Sequence, residues 1–170
     1  MAVIKHKDSG EVLLRVDGPS LAGENLVNQR LSGADLSGKD LKNVDFHNAD
    51  LTGADLSGAN LRGANLQGTH LHRAVLDRAN LQAANLTDVM LNGAKLSDAD
   101  FSRATMRYAK LGDCEMTRAD FSGADLSLSD LRGNLTEANL SEANLSGANL
   151  SGANLSKTNL TGVNLRNLYV

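Results

Sequence analysis

The sequence predicts an all-β fold in which the chain winds into a coil with flat sides. An apolar residue, mostly leucine, recurs at every fifth position from Leu21 to Leu131 and again from Leu135 to Val170. A small residue usually stands two places before it, and Asp or Asn usually stands one place before it. Aromatic residues make up only 3% of the chain, so the core must come from many small aliphatic contacts.

A period of five fits neither regular backbone. On an α-helix five residues advance about 500°, so successive leucines would lie about 140° apart and form no stripe. On a β-strand an odd step sends alternate leucines to opposite faces. A backbone that turns a corner once per repeat can direct every leucine inward, with successive coils stacked about 4.8 Å apart.

The repeated segments ADLSGANLRGANL and EANLSGANLSGANLSKTNL resemble the pentapeptide-repeat proteins, and the resemblance covers residues 21–170. It implies a right-handed quadrilateral β-helix in which Leu or Phe and the small residue face inward. The other three positions of each repeat would face outward. Residues 21–170 would then form a rod about 36 Å long at about 4.8 Å per coil.

Residues 1–20 lack the repeat and are predicted to form a β-hairpin that caps the first coil. The segment VIKHKDSGEVLLRV indicates two short strands around the turn DSGE. Such a hairpin would cover backbone groups and leucines that would otherwise pair with another chain. The expected domains are therefore the cap at 1–20 and the repeat region at 21–170.

The opposite end of the repeat region carries no comparable cover, and Leu168, Tyr169 and Val170 would lie at a bare coil end. Repeat arrays need capped or paired ends for solubility. The resembled family often dimerises through this end, which favours a homodimer with a two-fold axis. The alternative is a monomer whose last coil frays.

One step in the repeat is short, because Leu131 and Leu135 lie four residues apart. Either one side of the coil is shortened or a corner is rebuilt, with Gly133 in the small inward place. Glycine absorbs the strain best. A bend in the rod and a harmless deletion are the two interpretations.

Composition excludes several functions. A formal net charge of -3 and a pI near 5.8 argue against direct nucleic-acid binding. The single cysteine, Cys114, excludes an internal disulfide framework and falls at a small inward position, where a buried, inert thiol is expected. No signal peptide or long apolar run is visible, so the expectation is a cytoplasmic protein without membrane association.

The middle of the repeat region departs most from the ideal motif. Exposed apolar and aromatic groups among arginines are typical of interfaces, so these departures predict a surface for a protein partner. The alternative is sequence drift on a tolerant surface. The candidate residues are His70, His72, Val75, Met90, Arg107, Tyr108 and Lys110.

Catalysis and metal binding are not predicted. His70 and His72 alternate on one strand, but no third ligand of suitable type stands beside them. No catalytic constellation or phosphate loop is visible, and flat sides offer no deep pocket. We therefore expect a non-enzyme without a cofactor.

Two functions compete. The leading hypothesis is a rigid interaction scaffold whose sides bind a macromolecule. The alternative, implied by the resemblance, is an acidic DNA mimic that binds, inhibits or protects a type II topoisomerase (gyrase). Mimicry needs a continuous negative surface, and this sequence interrupts its aspartates with Asn, Lys, Met and His.

Overall fold

The computed structural model describes residues 1–165 and 167–170. Strands β1 (Ala2–His6) and β2 (Val12–Val16) form the predicted antiparallel hairpin, with Gly10 in its turn at φ 70°. Strand β3 (Ala34–Asp35) pairs antiparallel with β1, so the sheet order is β2-β1-β3. The hairpin thus lies against the first coil, where Ile4 is fully buried.

Beyond the hairpin, the chain pairs with itself through parallel bridges between residues 20 positions apart, such as Asp55 and Val75. Four five-residue sides therefore complete one coil, and the predicted right-handed quadrilateral β-helix is confirmed. On each side, hydrogen bonds join successive coils and close the corner. The Leu56 N–H donates to the Val75 carbonyl at 2.7 Å, and the Ala59 N–H donates to the Leu56 carbonyl at 3.0 Å.

The inward positions form one continuous apolar column. Leu56, Leu61 and Leu66 are all 0% exposed, and the small residues two places before them are buried as well. Phe101 and Phe121 stack with their ring centroids 5.0 Å apart and their planes at 8°. Because coils repeat the same inward pattern, each side chain packs on its counterpart in the next coil.

The coil presents four flat faces, which we name by their inward residues. Each face exposes the residue before and the residue after its inward apolar residue, and the following residue forms the corner to the next face. The inward residues of the middle coils are Leu61 and Leu81 on face A, Leu66 and Leu86 on face B, Leu71 and Leu91 on face C, and Leu76 and Leu96 on face D.

The corner residue has a positive φ in nearly every repeat, between 54° at Asn43 and 74° at Gly23. This is the left-handed third residue of a β-turn, a position that favours glycine because other residues there carry strain of about 1 kcal/mol. From residue 73 to residue 118, nine of the ten corner residues are not glycine, and Gly93 is the exception. The middle coils therefore hold strained corners that the coils before residue 73 largely avoid, since every corner there is glycine or asparagine.

The four-residue step after Leu131 shortens one coil to 19 residues. Bridges run from Glu115 to Asn134 and from Asp130 to Asn149, after which the spacing returns to 20. Gly133 takes the small inward place, where an added Cβ would lie 2.6 Å from the Cys114 carbonyl oxygen. The coil continues across the step because glycine alone fits that gap.

Candidate partner-binding surface

Aspartate or asparagine before each inward leucine stabilises the side on which it lies. Its Oδ1 accepts a hydrogen bond from the backbone N–H two residues later, as Asn80 does from Gln82 at 3.0 Å and Asp100 from Ser102 at 2.9 Å. Asn also donates to the coil before it, so Asn139 Nδ2 reaches Asp120 Oδ1 at 3.1 Å. This explains why Asp or Asn recurs in the motif: its side chain supplies a hydrogen-bond acceptor to the backbone N–H two residues later.

Faces A and B keep this side chain through the middle coils. Of the six positions before the inward residue there, five are Asp or Asn, and each accepts the N–H two residues later at 2.8–3.1 Å. Thr105 is the exception. The six positions are Asn80, Asn85, Asp100, Thr105, Asp120 and Asp125.

Faces C and D have lost it at every corresponding position. Among the described residues, only one of the six N–H groups concerned bonds to a side chain: Ser97 N–H donates to Asp77 Oδ1 of the previous coil at 2.9 Å. The middle coils therefore lack, on two adjacent faces, the hydrogen bond that Asp or Asn accepts from the backbone N–H two residues later. The replacing residues are His70, Val75, Met90, Lys95, Lys110 and Glu115.

Face C brings four of the predicted surface residues together. His70, Met90 and Lys110 stack in successive coils through parallel bridges, and His72 lies beside His70 with the ring centroids 6.2 Å apart. Within the described part of the chain, no three His, Cys, Asp or Glu side chains form a metal-binding group. The stacked column instead offers one thioether between an imidazole and an ammonium group.

Face D holds Val75 at the edge of a broad open concavity of about 650 Å³. The corner beyond it carries side chains of alternating charge, one per coil. Arg118 Nε donates to Asp98 at 2.7 Å, and Lys157 Nζ lies 3.2 Å from Glu137. The full corner column is Arg78, Asp98, Arg118, Glu137 and Lys157.

Arg107 and Tyr108 do not share this surface. Arg107 lies on face B, and Tyr108 forms the corner between faces B and C with φ 60°. The Arg107 guanidinium lies 5.7 Å from the Tyr108 ring centroid, a cation–π contact. The predicted surface therefore separates into a group on faces C and D and a pair at the B–C corner.

Sequence reasoning missed Leu128, which follows Tyr108 one coil later on the same corner. Leu128 is 49% exposed and has φ 59°, although every other leucine of that stretch is inward. The signal was present in SLS, because this leucine stands two places after an inward leucine, where glycine is usual. Lys95 and Glu115 were also left out of the predicted surface.

Local hydrogen bonds set the pKa values of several groups. The pKa of Asp130 is lowered by the hydrogen bond from Arg132, whose Nη2 lies 2.6 Å away. Arg118 lowers the pKa of Asp98 in the same way. Burial raises the pKa of the Cys114 thiol to about 12, and its Sγ donates to the Leu91 carbonyl at 3.0 Å. A thiol in that state is not a nucleophile near neutral pH.

The last coil has no coil packed above it in the structure. Leu165 is 58% exposed and Val170 is 88% exposed, whereas Leu168 packs partly against the core. Tyr169 pairs with Asn149 of the previous coil, with its N–H donating to the Ala148 carbonyl at 3.0 Å. The structure thus shows an apolar end surface beside Tyr169, whose backbone is paired with the previous coil.

A model of eight pentapeptide repeats matches residues 25–63, 54–93, 94–133 and 134–167. The chain therefore belongs to the pentapeptide-repeat family, as the resemblance predicted. A search of curated proteins found no match. The family is one of repeat scaffolds, and its description names no catalytic activity.

Solved structures resemble the chain to different degrees. HetL, a pentapeptide repeat protein involved in heterocyst differentiation regulation from the cyanobacterium Nostoc sp. strain PCC 7120, is 34% identical with a TM-score of 0.61. The match covers 85% of this chain and 75% of HetL. QnrB1, a plasmid-mediated fluoroquinolone resistance protein, is 24% identical in a trypsin-treated form, with a TM-score of 0.45 and coverage of 88% and 81%.

A pentapeptide repeat protein of the Arabidopsis thaliana thylakoid lumen is 30% identical, covers 64% of this chain and 68% of its own, and has a TM-score of 0.35. As for membranes, the described residues contain no helix of the length and apolarity that crossing one requires.

Proposed function

We propose that the chain is a rigid scaffold that binds a protein partner across faces C and D of its middle coils. One observation carries this proposal: Asp and Asn are lost at all six of the relevant positions on these two adjacent faces and at one of six on faces A and B. Drift on a tolerant surface would spread such losses over all four faces.

The energetics point the same way. Each lost side-chain hydrogen bond forfeits about 1 kcal/mol of stability, and the middle corners add backbone strain. Natural proteins retain such local losses mainly at sites selected for binding. The outward side chains on faces C and D combine a half-buried thioether, a half-buried aliphatic group and exposed charges of both signs, which suits a protein surface more than a nucleic acid.

The experiment is a pull-down from cells that naturally make the protein, followed by affinity measurement with the captured partner. Met90→Glu on face C and Lys95→Glu on face D should each weaken binding by about tenfold or more. Asn80→Glu, at the same place in the repeat but on face A, is the matched control and should bind as the unmodified chain does. Equal binding by all three variants would reject the proposal.

The DNA-mimic alternative is less well supported by the arrangement of charge. Lys95 and Lys110 replace carboxylates on two faces, and the D–A corner alternates cations with anions. Mimicry of duplex DNA requires an uninterrupted negative surface. A supercoiling assay with purified gyrase tests it, and inhibition of supercoiling or protection from a gyrase poison would favour the mimic over the scaffold.

We also propose that the apolar end formed by Leu165, Leu168, Tyr169 and Val170 pairs with a second copy around a two-fold axis. The exposure of Leu165 and Val170 supports this, since apolar coil ends need cover in water. Light scattering should report a dimer mass that Leu165→Glu halves. Val12→Glu at the opposite end, where Val12 is also exposed, is the control. A monomer mass for the unmodified chain would refute the homodimer.

A further inference from the structure

The corner between faces B and C carries two exposed apolar side chains in successive coils. Tyr108 is 41% exposed and Leu128 is 49% exposed, and both have a left-handed backbone with φ near 60°. Glycine would fit each position without strain, and a polar residue would suit the exposure. Tyr108 and Leu128 thus combine backbone strain with exposed apolar area, although neither helps to form the inner column. We call them the B–C ridge.

The surroundings of Leu128 make it project. Ser127 and Ser129, on either side of it, are 7% and 2% exposed, and Ser129 Oγ donates to the Leu126 carbonyl at 2.6 Å. In the next coil, Gly147 occupies the corner, and an added Cβ there would lie 2.7 Å from Leu128 Cδ2. The Leu128 side chain therefore lies next to Gly147, and the residues on either side of it, Ser127 and Ser129, are small.

A groove of about 420 Å³ follows the ridge on the face B side. Its lining spans four coils, from Arg107 through Ser127 and Ser146 to Asn167, which is about 14 Å at 4.8 Å per coil. Four residues of extended peptide cover about the same length at 3.3 Å per residue. Apart from Arg107 and Asp125 the lining is uncharged, and it includes the hydroxyl groups of Ser127 and Ser146, which are of a kind that bonds a peptide backbone.

Charge distinguishes the occupant. Arg107 and Lys110 stand on either side of Tyr108, and neither forms an ion pair within the described residues. The nearby carboxylates are already engaged: Asp125 accepts hydrogen bonds from Ser127 N–H and Asn144 Nδ2, and Asp130 pairs with Arg132. Asp88 lies one coil before Tyr108, on the side away from Leu128. Arg107 is thus a cation of the groove lining that pairs with no carboxylate among the described residues, and a carboxylate on the partner would complement it.

We propose that the B–C ridge docks an extended peptide segment of a partner protein that carries a bulky apolar side chain and an acidic residue. The apolar side chain packs beside Leu128, and the carboxylate reaches Arg107 at the Tyr108 end of the groove. This goes beyond the proposed function, because it rests on a different corner of the coil and on a groove whose lining residues lie on face B and the B–C corner.

A random dodecapeptide library displayed on phage and selected on the immobilised full chain tests the proposal. Enriched peptides should share Asp or Glu close to an aromatic or aliphatic residue. As synthetic peptides they should bind the Leu128→Gly and Arg107→Glu variants at least about tenfold more weakly than the unmodified chain. No enrichment, enrichment of basic peptides, or equal binding to Leu128→Gly would overturn it.

Leu128→Gly separates docking from folding, because glycine prefers the backbone that Leu128 adopts. Its melting temperature should stay within about 4 °C of the unmodified chain. A fall of more than about 10 °C would show that the side chain supports the fold and would overturn the proposal. Ala83→Gly at the A–B corner is the matched control and should leave peptide binding unchanged.

Two further outcomes are distinguished. Met90→Glu should not affect the selected peptides, so loss of the partner on faces C and D and loss of the ridge peptide can be observed independently. If Leu128→Gly instead lowered the mass seen by light scattering and no peptide were enriched, the ridge would be a contact between copies of the chain, and the peptide proposal would be wrong.

Discussion

Faces A and B of the middle coils differ from faces C and D although both pairs cover the same core. Behind face B, Leu86 is fully buried, and behind face C, Leu91 is fully buried as well. Outside, Asn85 accepts a hydrogen bond from Thr87 N–H at 3.1 Å, whereas Met90 has no acceptor to offer. The inward residues are therefore of the same kind behind both faces, while the outward residues differ from one face to the next.

This difference separates two roles within one repeat. The inward positions hold the coil together, and the position before them either reinforces the side or becomes available for contacts with another molecule. Because a solenoid adds its stability coil by coil, local losses on two faces can be offset by the repeats around them.

The largest effect should come from the core, and it should be the same behind both kinds of face. Leu86→Ala and Leu91→Ala should each reduce the free energy of unfolding by about 3 kcal/mol, through lost burial and the cavity that remains. Urea denaturation followed by circular dichroism measures both. If Leu91→Ala were much milder than Leu86→Ala, the core behind face C would be looser and the comparison would fail.

Exchange of the outward residue should act in opposite directions on the two kinds of face. Met90→Asn should raise the free energy of unfolding by about 1 kcal/mol, because the amide can accept the Asn92 N–H. Asn85→Met on face B should lower it by about the same amount. The same denaturation experiment applies, and a destabilised Met90→Asn variant would show that methionine stabilises face C by packing.

Corner strain should be independent of the face. Ala83 has φ 55° between faces A and B, and its replacement by glycine should raise the free energy of unfolding by about 0.5–1 kcal/mol. Gly93 has φ 69° between faces C and D, and its replacement by alanine should lower the free energy of unfolding by about 1 kcal/mol. This cost is backbone strain alone, because the added Cβ would make only an ordinary contact with Arg73 Cγ at 3.6 Å. Thermal melting checks both variants. A Gly93→Ala variant as stable as the unmodified chain would mean that the corner relaxes to another backbone conformation.

The smallest effect should be electrostatic and limited to face C. The folded-state pKa of Asp130 lies below its ordinary value of 3.8 because of Arg132. A lowered carboxyl pKa stabilises the folded chain above pH 3.8, and this stabilisation disappears as the pH falls through the folded-state pKa. Arg132→Gln should therefore melt slightly lower at pH 7 and should match the unmodified chain in strong acid. A difference that persisted unchanged there would exclude this ion pair as the cause.

The inward column followed from the sequence because it depends on the order of residues along one repeat, and the hairpin followed from two apolar segments around a turn, whereas the accommodation of the step between Leu131 and Leu135 was left open. The five-residue spacing requires a corner in every repeat, and the recurring leucine and the small residue two places before it identify the two inward positions. The Asp and Asn bonds were also predictable, since their partners are two residues away.

The division of the candidate surface was not predictable in the same way. Arg107 and Tyr108 precede Lys110 closely in the sequence, yet a corner places them on a different side of the coil from Met90. Leu128 lies outside the five-residue series and received no prediction, and its left-handed backbone and its exposure are seen only in the structure.

By itself the sequence determined the period and the identity of the core, because these arise from contacts that each repeat makes in the same way, and it indicated the cap because residues 1–20 lack the repeat. The tertiary structure decided which outward residues become neighbours, since residues on one face come from positions 20 apart and the coil must close before they meet. It also gave nearly every corner a positive φ whichever residue stands there, because the coils above and below hold each turn in the same conformation.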